Sequence, residues 1–215
     1  MKNIFILVAF LFFCTVLRAQ PFIDEVRGFQ HEDSINTPPK RANLFIGSSS
    51  LRLWKTIHED FEGHTVINRG FGGSTLPDVI RYVPEVVYPY NAREILIYCG
   101  ENDFAASDTV TAAIVVERFR QLFTLIRKSQ PKVPVVFISI KPSPSRAHLL
   151  SKMREANDAI RAFLATQKRT KFIDVYHLMI TPDGKPREEL FGPDRLHMNA
   201  QGYAIWRKAI LPVLN

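Results

Sequence analysis

The chain has 215 residues, 46% of them hydrophobic and 23% charged, which is enough apolar side chain for one ordinary domain with a real core. Its formal net charge is +7, but no run of lysine or arginine exceeds two residues, so nothing marks a nucleic-acid-binding tract. The two cysteines, Cys14 and Cys99, exclude a disulfide-stapled scaffold.

In chain order, "MKNIFILVAFLFFCTVLRAQ" comes first: Lys2, then an almost wholly apolar run from Ile4 to Leu17, then the small residue Ala19. The run falls short of the ~20 residues a bilayer crossing needs, so residues 1–20 read as a secretory signal peptide, cleaved near Ala19 or Gln20. An uncleaved anchor is the alternative. Phe12 and Phe13 before Cys14 are too bulky for a lipoprotein cleavage site. Cleavage would remove Lys2 and Arg18 and no acid, taking the charge from +7 to +5 and leaving Cys99 alone. Residues 21–43 are polar and end in "NTPPKRA", which cannot continue a helix. Within them Ile23, Val26 and Phe29 recur every three residues, so an arm with a short one-faced helix precedes a linker.

From residue 44 to 215 the pattern alternates. Strand-like runs stand at 44–46, 65–68, 94–99, 133–140 and 171–175, with helical patterns at 51–61, 76–82, 109–129, 148–167 and 199–214. Strands that are apolar throughout and separated by helices predict a five-stranded parallel sheet covered on both faces, a three-layer α/β/α sandwich. Gly70, Gly72 and Gly73 in "GFGGS" do not make the G-x-G-x-x-G spacing of a dinucleotide site.

Sites in such sheets collect at the carboxyl ends of the strands. Four loops there carry polar residues. "GSSS" at 47–50 offers a sharp turn and a hydroxyl, although one serine could merely cap the helix expected at Leu51. "NRGFGGS" has backbone free to approach a ligand, and "YCGENDF" adds the side-chain amide of Asn102, with Asp103 placed to cap the segment beyond; either could equally be a turn. "GPDRLHMNAQGY" sets Asp194 and His197 three apart before the last helix, so that the carboxylate can hold one imidazole nitrogen while the other faces a substrate. His31, His58, His64, His148 and His177 lack such a partner beside a helix start.

The blocks "FIGSSSLRLW", "NRGFGGST", "YCGEND" and "DRLHMNAQGY", spanning residues 44 to 214, together resemble the four blocks of the SGNH, or GDSL-type, hydrolases, whose sandwich is flavodoxin-like. With Trp54 and the arm residues Ile23 and Phe29, they are similar to the extracytoplasmic bacterial acylhydrolase branch, akin in plan to platelet-activating-factor acetylhydrolase catalytic subunits. The resemblance implies a serine esterase with Ser49 as nucleophile, His197 as general base and Asp194 as its orienting partner. It also implies an oxyanion hole made of the Ser49 and Gly73 amides and the Asn102 side chain, with no metal and no other cofactor. Ser48 and Ser74 replace carboxylates frequent in that family.

The implied substrate is a short acyl ester, acetyl by preference, on a carbohydrate. A lysophospholipid, small-lipid ester or thioester is the alternative, and a silent carbohydrate-binding domain on the same fold is the rival from another class. An α/β-hydrolase is disfavoured because Leu51 stands where Gly-x-Ser-x-Gly needs its second glycine. Arg52, Arg69, Arg146 and Arg195 are candidates to meet an anionic leaving group.

Overall fold

A computed structural model describes residues 20 to 214, so the signal peptide expected at 1–20, with Lys2 and Cys14, lies outside the described residues except for Gln20. No described helix is long and apolar enough to cross a membrane.

Five parallel strands, β1 (Asn43–Gly47), β2 (Val66–Gly70), β3 (Glu94–Tyr98), β4 (Val135–Ile138) and β5 (Thr170–Ile173), form one sheet in the order β2-β1-β3-β4-β5. Every residue of β1, β3 and β4 is buried, which is why their sequences are apolar apart from Asn43 and Glu94 at the starts of β1 and β3. Alternate side chains serve two cores. Leu44, Ile46, Ile95, Ile97, Val135 and Phe137 face one; Phe45, Leu96, Tyr98, Val136 and Ile138 face the other, against Trp54, Phe61 and Trp206. Burying an aromatic or large aliphatic side chain is worth about 1.5–3 kcal/mol, and these cores carry the fold without a disulfide.

The first core is covered by α4 (Leu76–Arg81), α5 (Val83–Val86), α7 (Ala112–Ser129) and α8 (Leu150–Ala165), the second by α2 (Ser49–Arg52), α3 (Ile57–Asp60) and α9 (Ala200–Ile210). The arm forms α1 (Ile23–Ile35), which buries Val26 and leans Ile23 and Phe29 on the first core.

Three expected elements differ. The helix expected over 51–61 is two single turns, α2 and α3, because the chain bends at Trp54 to bury the indole, whose Nε1 donates to Asp60 Oδ2 at 2.7 Å. The strand expected over 133–140 is confined to β4, and the segment after it feeds a 3-10 turn at Pro144–Leu149. A further helix, α6 (Glu101–Ala106), occupies a stretch that reads as a turn in sequence.

The order β2-β1-β3 makes β1 the strand from which the chain departs to opposite sides, which puts the switch point, where sites in such sheets collect, at the carboxyl ends of β1 and β3. Gly47 and Tyr98 are register partners there. Gly47 has φ +134°, and a Cβ on it would lie 1.9 Å from the Tyr98 carbonyl oxygen; only glycine lets the chain turn this close to β3.

Candidate active site

The turn at Gly47 places Ser48 and Ser49 at the carboxyl end of β1. The Ser48 N–H donates to the Tyr98 carbonyl at 3.0 Å, Ser48 stands in extended backbone as the N-cap of α2, and Ser49 is the first helical residue. No serine side chain caps this helix, contrary to the simplest structural expectation for the triplet. Ser50 points its backbone carbonyl at the Tyr203 hydroxyl, 2.9 Å away, and so ties α2 to α9.

Ser49 Oγ lies 2.9 Å from His197 Nε2, across 148 residues of sequence. His197 Nδ1 lies 2.6 Å from Asp194 Oδ2, while the other carboxylate oxygen accepts the N–H groups of Leu196 and His197 at 3.0 and 2.9 Å. Burial opposes ionisation of Asp194, but those two amides and the imidazole outweigh it and hold its carboxyl down at about 2. An ionised Asp194 is acceptor-only, so Nδ1 must carry the imidazole hydrogen, leaving Nε2 as acceptor for the serine O–H.

A stability prediction follows with a definite sign. Because the folded pKa is depressed, the advantage of Asp194 over asparagine is complete above pH about 4 and is lost as pH falls through about 2. Melting temperatures of the protein and of Asp194→Asn should converge on acidification; a gap that widens towards acid would contradict this electrostatic account.

The expectation that the other histidines lack a carboxylate partner is corrected at one of them. His177 Nδ1 lies 2.8 Å from Asp174 Oδ2, again at a spacing of three, because the chain turns into a short 3-10 helix as it leaves β5. Asp174 also pairs with Arg161, and no hydroxyl is hydrogen-bonded to that imidazole among the described residues.

Opposite the histidine stand Gly73 and Asn102. Asn102 Nδ2 donates to the Ser74 carbonyl at 3.1 Å and to Ser48 Oγ at 3.3 Å, and it lies 3.8 Å from where a Cβ on Gly73 would sit. The N–H groups of Ser49 and Gly73 have no protein acceptor among the described residues. The Ser49 amide beside the hydroxyl, the Gly73 amide and the Asn102 side-chain amide near it thus make a donor set that suits a developing oxyanion.

A family model, the GDSL-like lipase/acylhydrolase family, matches residues 47–205 and so takes in all four loops. The chain belongs to this family. It is similar to the platelet-activating factor acetylhydrolase IB subunit alpha1 of Rattus norvegicus, at 25% identity over 169 residues that cover 74% of this chain and 69% of that one. Among solved structures it resembles a GDSL-like lipase from Bacteroides thetaiotaomicron, with a TM-score of 0.76 and 20% identity over 87% of this chain and 96% of the other. A carbohydrate esterase family 3 protein from Talaromyces cellulolyticus superposes with a TM-score of 0.64 and 15% identity over 80% and 95%.

In this GDSL hydrolase the site rests on a buried polar network that sequence reading missed. Fully buried Lys141, three residues beyond β4, donates from Nζ to Glu101 Oε2 at 2.8 Å, to Ser143 Oγ at 2.5 Å and to the carbonyl of Leu196 at 2.8 Å. Leu196 adjoins His197, so this ammonium grips the histidine loop. Glu101 also accepts from Ser143 and from the Tyr98 hydroxyl. Its burial favours the neutral acid, but Lys141 and Arg146 overcome that and lower its pKa. Arg146 lies 3.5 Å from Glu101 and donates to Asn102 Oδ1 at 2.9 Å, which fixes the amide with its nitrogen towards Ser48 and Ser74. The sequence signal lies in "SIKPSPSR": a lysine three residues after an apolar strand, at the carboxyl end of the sheet where the site sits.

Of the four arginines singled out in sequence, only Arg146 reaches the site; Arg52 pairs with Glu25, Arg195 with Glu188, and Arg69 with Glu32 and Asp33. Asp103 is not a cap for the following segment. It lies inside α6, fully buried, and accepts the Leu76 N–H at 2.9 Å and Arg118 at 2.7 Å, so it anchors the far end of the Gly73 loop.

The arm supports the same loop from outside. Glu25 accepts the Gly72 N–H at 3.0 Å, the Tyr82 hydroxyl donates to the Pro21 carbonyl at 2.6 Å, and Phe22 packs on Phe71 with centroids 5.5 Å apart. Gly72 has φ +35°, and a Cβ there would lie 2.2 Å from the Phe22 ring. Since Gly72 precedes a candidate oxyanion donor, Glu25→Ala should lower kcat by about tenfold with little change in melting temperature. Unchanged kcat would detach the arm from the site.

Proposed function

We propose that this GDSL acylhydrolase is an exported serine esterase that removes a short acyl group, acetyl by preference, from a carbohydrate. The observation that carries the serine mechanism is the unbroken chain from Ser49 Oγ through His197 to Asp194, at 2.9 and 2.6 Å. Ser49 Oγ attacks the ester carbonyl carbon while its proton passes to His197 Nε2, and the imidazolium is stabilised by ionised Asp194. The carbonyl oxygen becomes an oxyanion facing the Ser49 and Gly73 amides and Asn102 Nδ2. Collapse of the tetrahedral adduct breaks the bond to the alcohol oxygen, which leaves with the proton from His197. Water, deprotonated by the same nitrogen, then cleaves the acyl-serine and releases the acid. Asn102→Ala should reduce kcat by about 10²–10³ with KM little changed; a loss confined to KM would remove Asn102 from the oxyanion hole.

Several observations support the substrate class. None of the large exposed apolar residues, Ile35, Tyr88, Ile114, Leu178 and Leu211, belongs to the four site loops, so these loops present no apolar ramp for a long acyl chain. The rat relative is named an acetylhydrolase and the Talaromyces structure a carbohydrate esterase. Export rests on the apolar leader in sequence, and no nucleic-acid or membrane-inserted role is proposed. Rates on acetylated sugars and on aryl esters of graded chain length test the reading. It expects acetyl to be the best acyl group, and a steep preference for long chains would replace it with the small-lipid alternative.

A further inference from the structure

The edge of the sheet opposite the site carries a second feature. An open groove of about 900 Å³ runs along the amino ends of β1, β3, β4 and β5. Arg41, Arg93, Lys132, Arg169 and Lys171 line it, and no acid does. A smaller recess of about 390 Å³ continues it past Arg127 and Lys168, again without an acid. In a chain with 28 basic and 21 acidic residues this segregation is not what even mixing would give.

Among the described residues, several of these cations are held by backbone carbonyls. Arg127 donates to the carbonyls of Val133 and Lys168, Arg169 to that of Lys132 at 3.1 Å, and Lys171 to that of Val213 at 2.9 Å. Burial and the nearby Arg169 push the Arg127 guanidinium below its usual pKa. The array is also ordered. Arg41 precedes β1, Arg93 precedes β3, Lys132 precedes β4, and Arg169 and Lys171 bracket the start of β5. These strands are neighbours at a spacing of ~4.8 Å, so one cationic position recurs per strand in a line across the sheet edge.

We propose that this groove binds a linear acidic polysaccharide, a chain bearing carboxylate or sulfate groups at intervals close to the length of one sugar unit. A lipid bilayer fits less well, because none of the large exposed apolar side chains lines the groove to enter the interface. Single-stranded nucleic acid fits less well, because no aromatic ring lines the main groove for base stacking, and the one ring in the smaller recess, Phe123, is buried with the Arg127 guanidinium over it. The groove and the Ser49 site lie at opposite edges of the sheet, so the groove holds a polymer to the protein without occupying the site. The inference rests on charge and shape and stands whatever ester Ser49 cleaves.

Affinity gel electrophoresis and calorimetry with polygalacturonate, dextran sulfate and neutral dextran test it, with anionic phospholipid vesicles and DNA oligonucleotides as competitors. Expected are salt-sensitive retardation by at least one acidic polysaccharide, none by dextran, and at least about tenfold weaker binding in Lys132→Glu/Lys171→Glu. Lys132→Arg/Lys171→Arg should retain binding, and hydrolysis of a small aryl ester by all variants reports that the fold is intact. Binding that survives the charge reversal, no binding to either acidic polymer, or tighter binding to vesicles or DNA would overturn it.

Discussion

Ser49→Ala is expected to lower kcat on a short acyl ester by about 10⁴–10⁶ while leaving the melting temperature nearly unchanged. The size follows from the site's construction. Without the hydroxyl, His197 has nothing to deprotonate but water, and only the oxyanion donors and substrate binding remain. The small structural cost follows because Ser49 Oγ contributes a single hydrogen bond, to a half-buried imidazole, and caps no helix. The same substitution at Ser48 or Ser50 should cost far less activity. Ser48 touches the reaction only through Asn102 Nδ2; Ser50 contributes a backbone carbonyl that alanine keeps and a hydroxyl that donates to Tyr98, a contact with no proposed catalytic group. Comparable losses at all three positions would mean that the turn as a whole, and not one nucleophile, is being damaged.

Lys141→Met is expected to be the most destabilising single change near the site, by about 3–5 kcal/mol, because it strands a buried carboxylate. At this chain length that is a fall of roughly 10 °C in melting temperature. The substitution removes the donor to Glu101 Oε2, to Ser143 and to the Leu196 carbonyl in one step. The companion Lys141→Met/Glu101→Leu removes both charges and should recover much of the stability. It should not recover full kcat, since the histidine loop stays without its ammonium tether and Arg146 loses the carboxylate that steadies it beside Asn102. Full recovery of both quantities would reduce the network to packing with no bearing on the chemistry.

The layers of the fold are legible because burial on both faces writes strands as mostly apolar runs, as in "ILIY" and "VVFI". The helix break at Trp54 is not, because it depends on an indole finding Asp60 and the ring of Trp206, contacts that no local pattern carries. Helix α6 is hidden by its own composition, since "GEND" has the residues of a turn, and Glu101 and Asp103 meet their partners, buried Lys141, partly exposed Arg118 and the Leu76 amide, only in the fold. At the site, Asp194 and His197 announced themselves by spacing, although Asp174 and His177 show that the same spacing also arises away from any hydroxyl. Ser49 could be singled out from its two neighbours only through the family blocks. Lys141 and Ser143 are hidden in a proline-rich stretch, and the part of Lys141 depends on a carbonyl 55 residues further along the chain; Arg146 stands out in sequence, but as a candidate for an anionic leaving group and not as the residue that orients Asn102.

The central claim is that Ser49, and not a neighbouring hydroxyl, carries the acyl group. Reaction with a small fluorophosphonate followed by peptide mass spectrometry tests it directly. Stoichiometric label on Ser49, abolished in His197→Ala, is the expected result. Label on Ser48 or Ser50, or undiminished labelling without His197, would contradict the account.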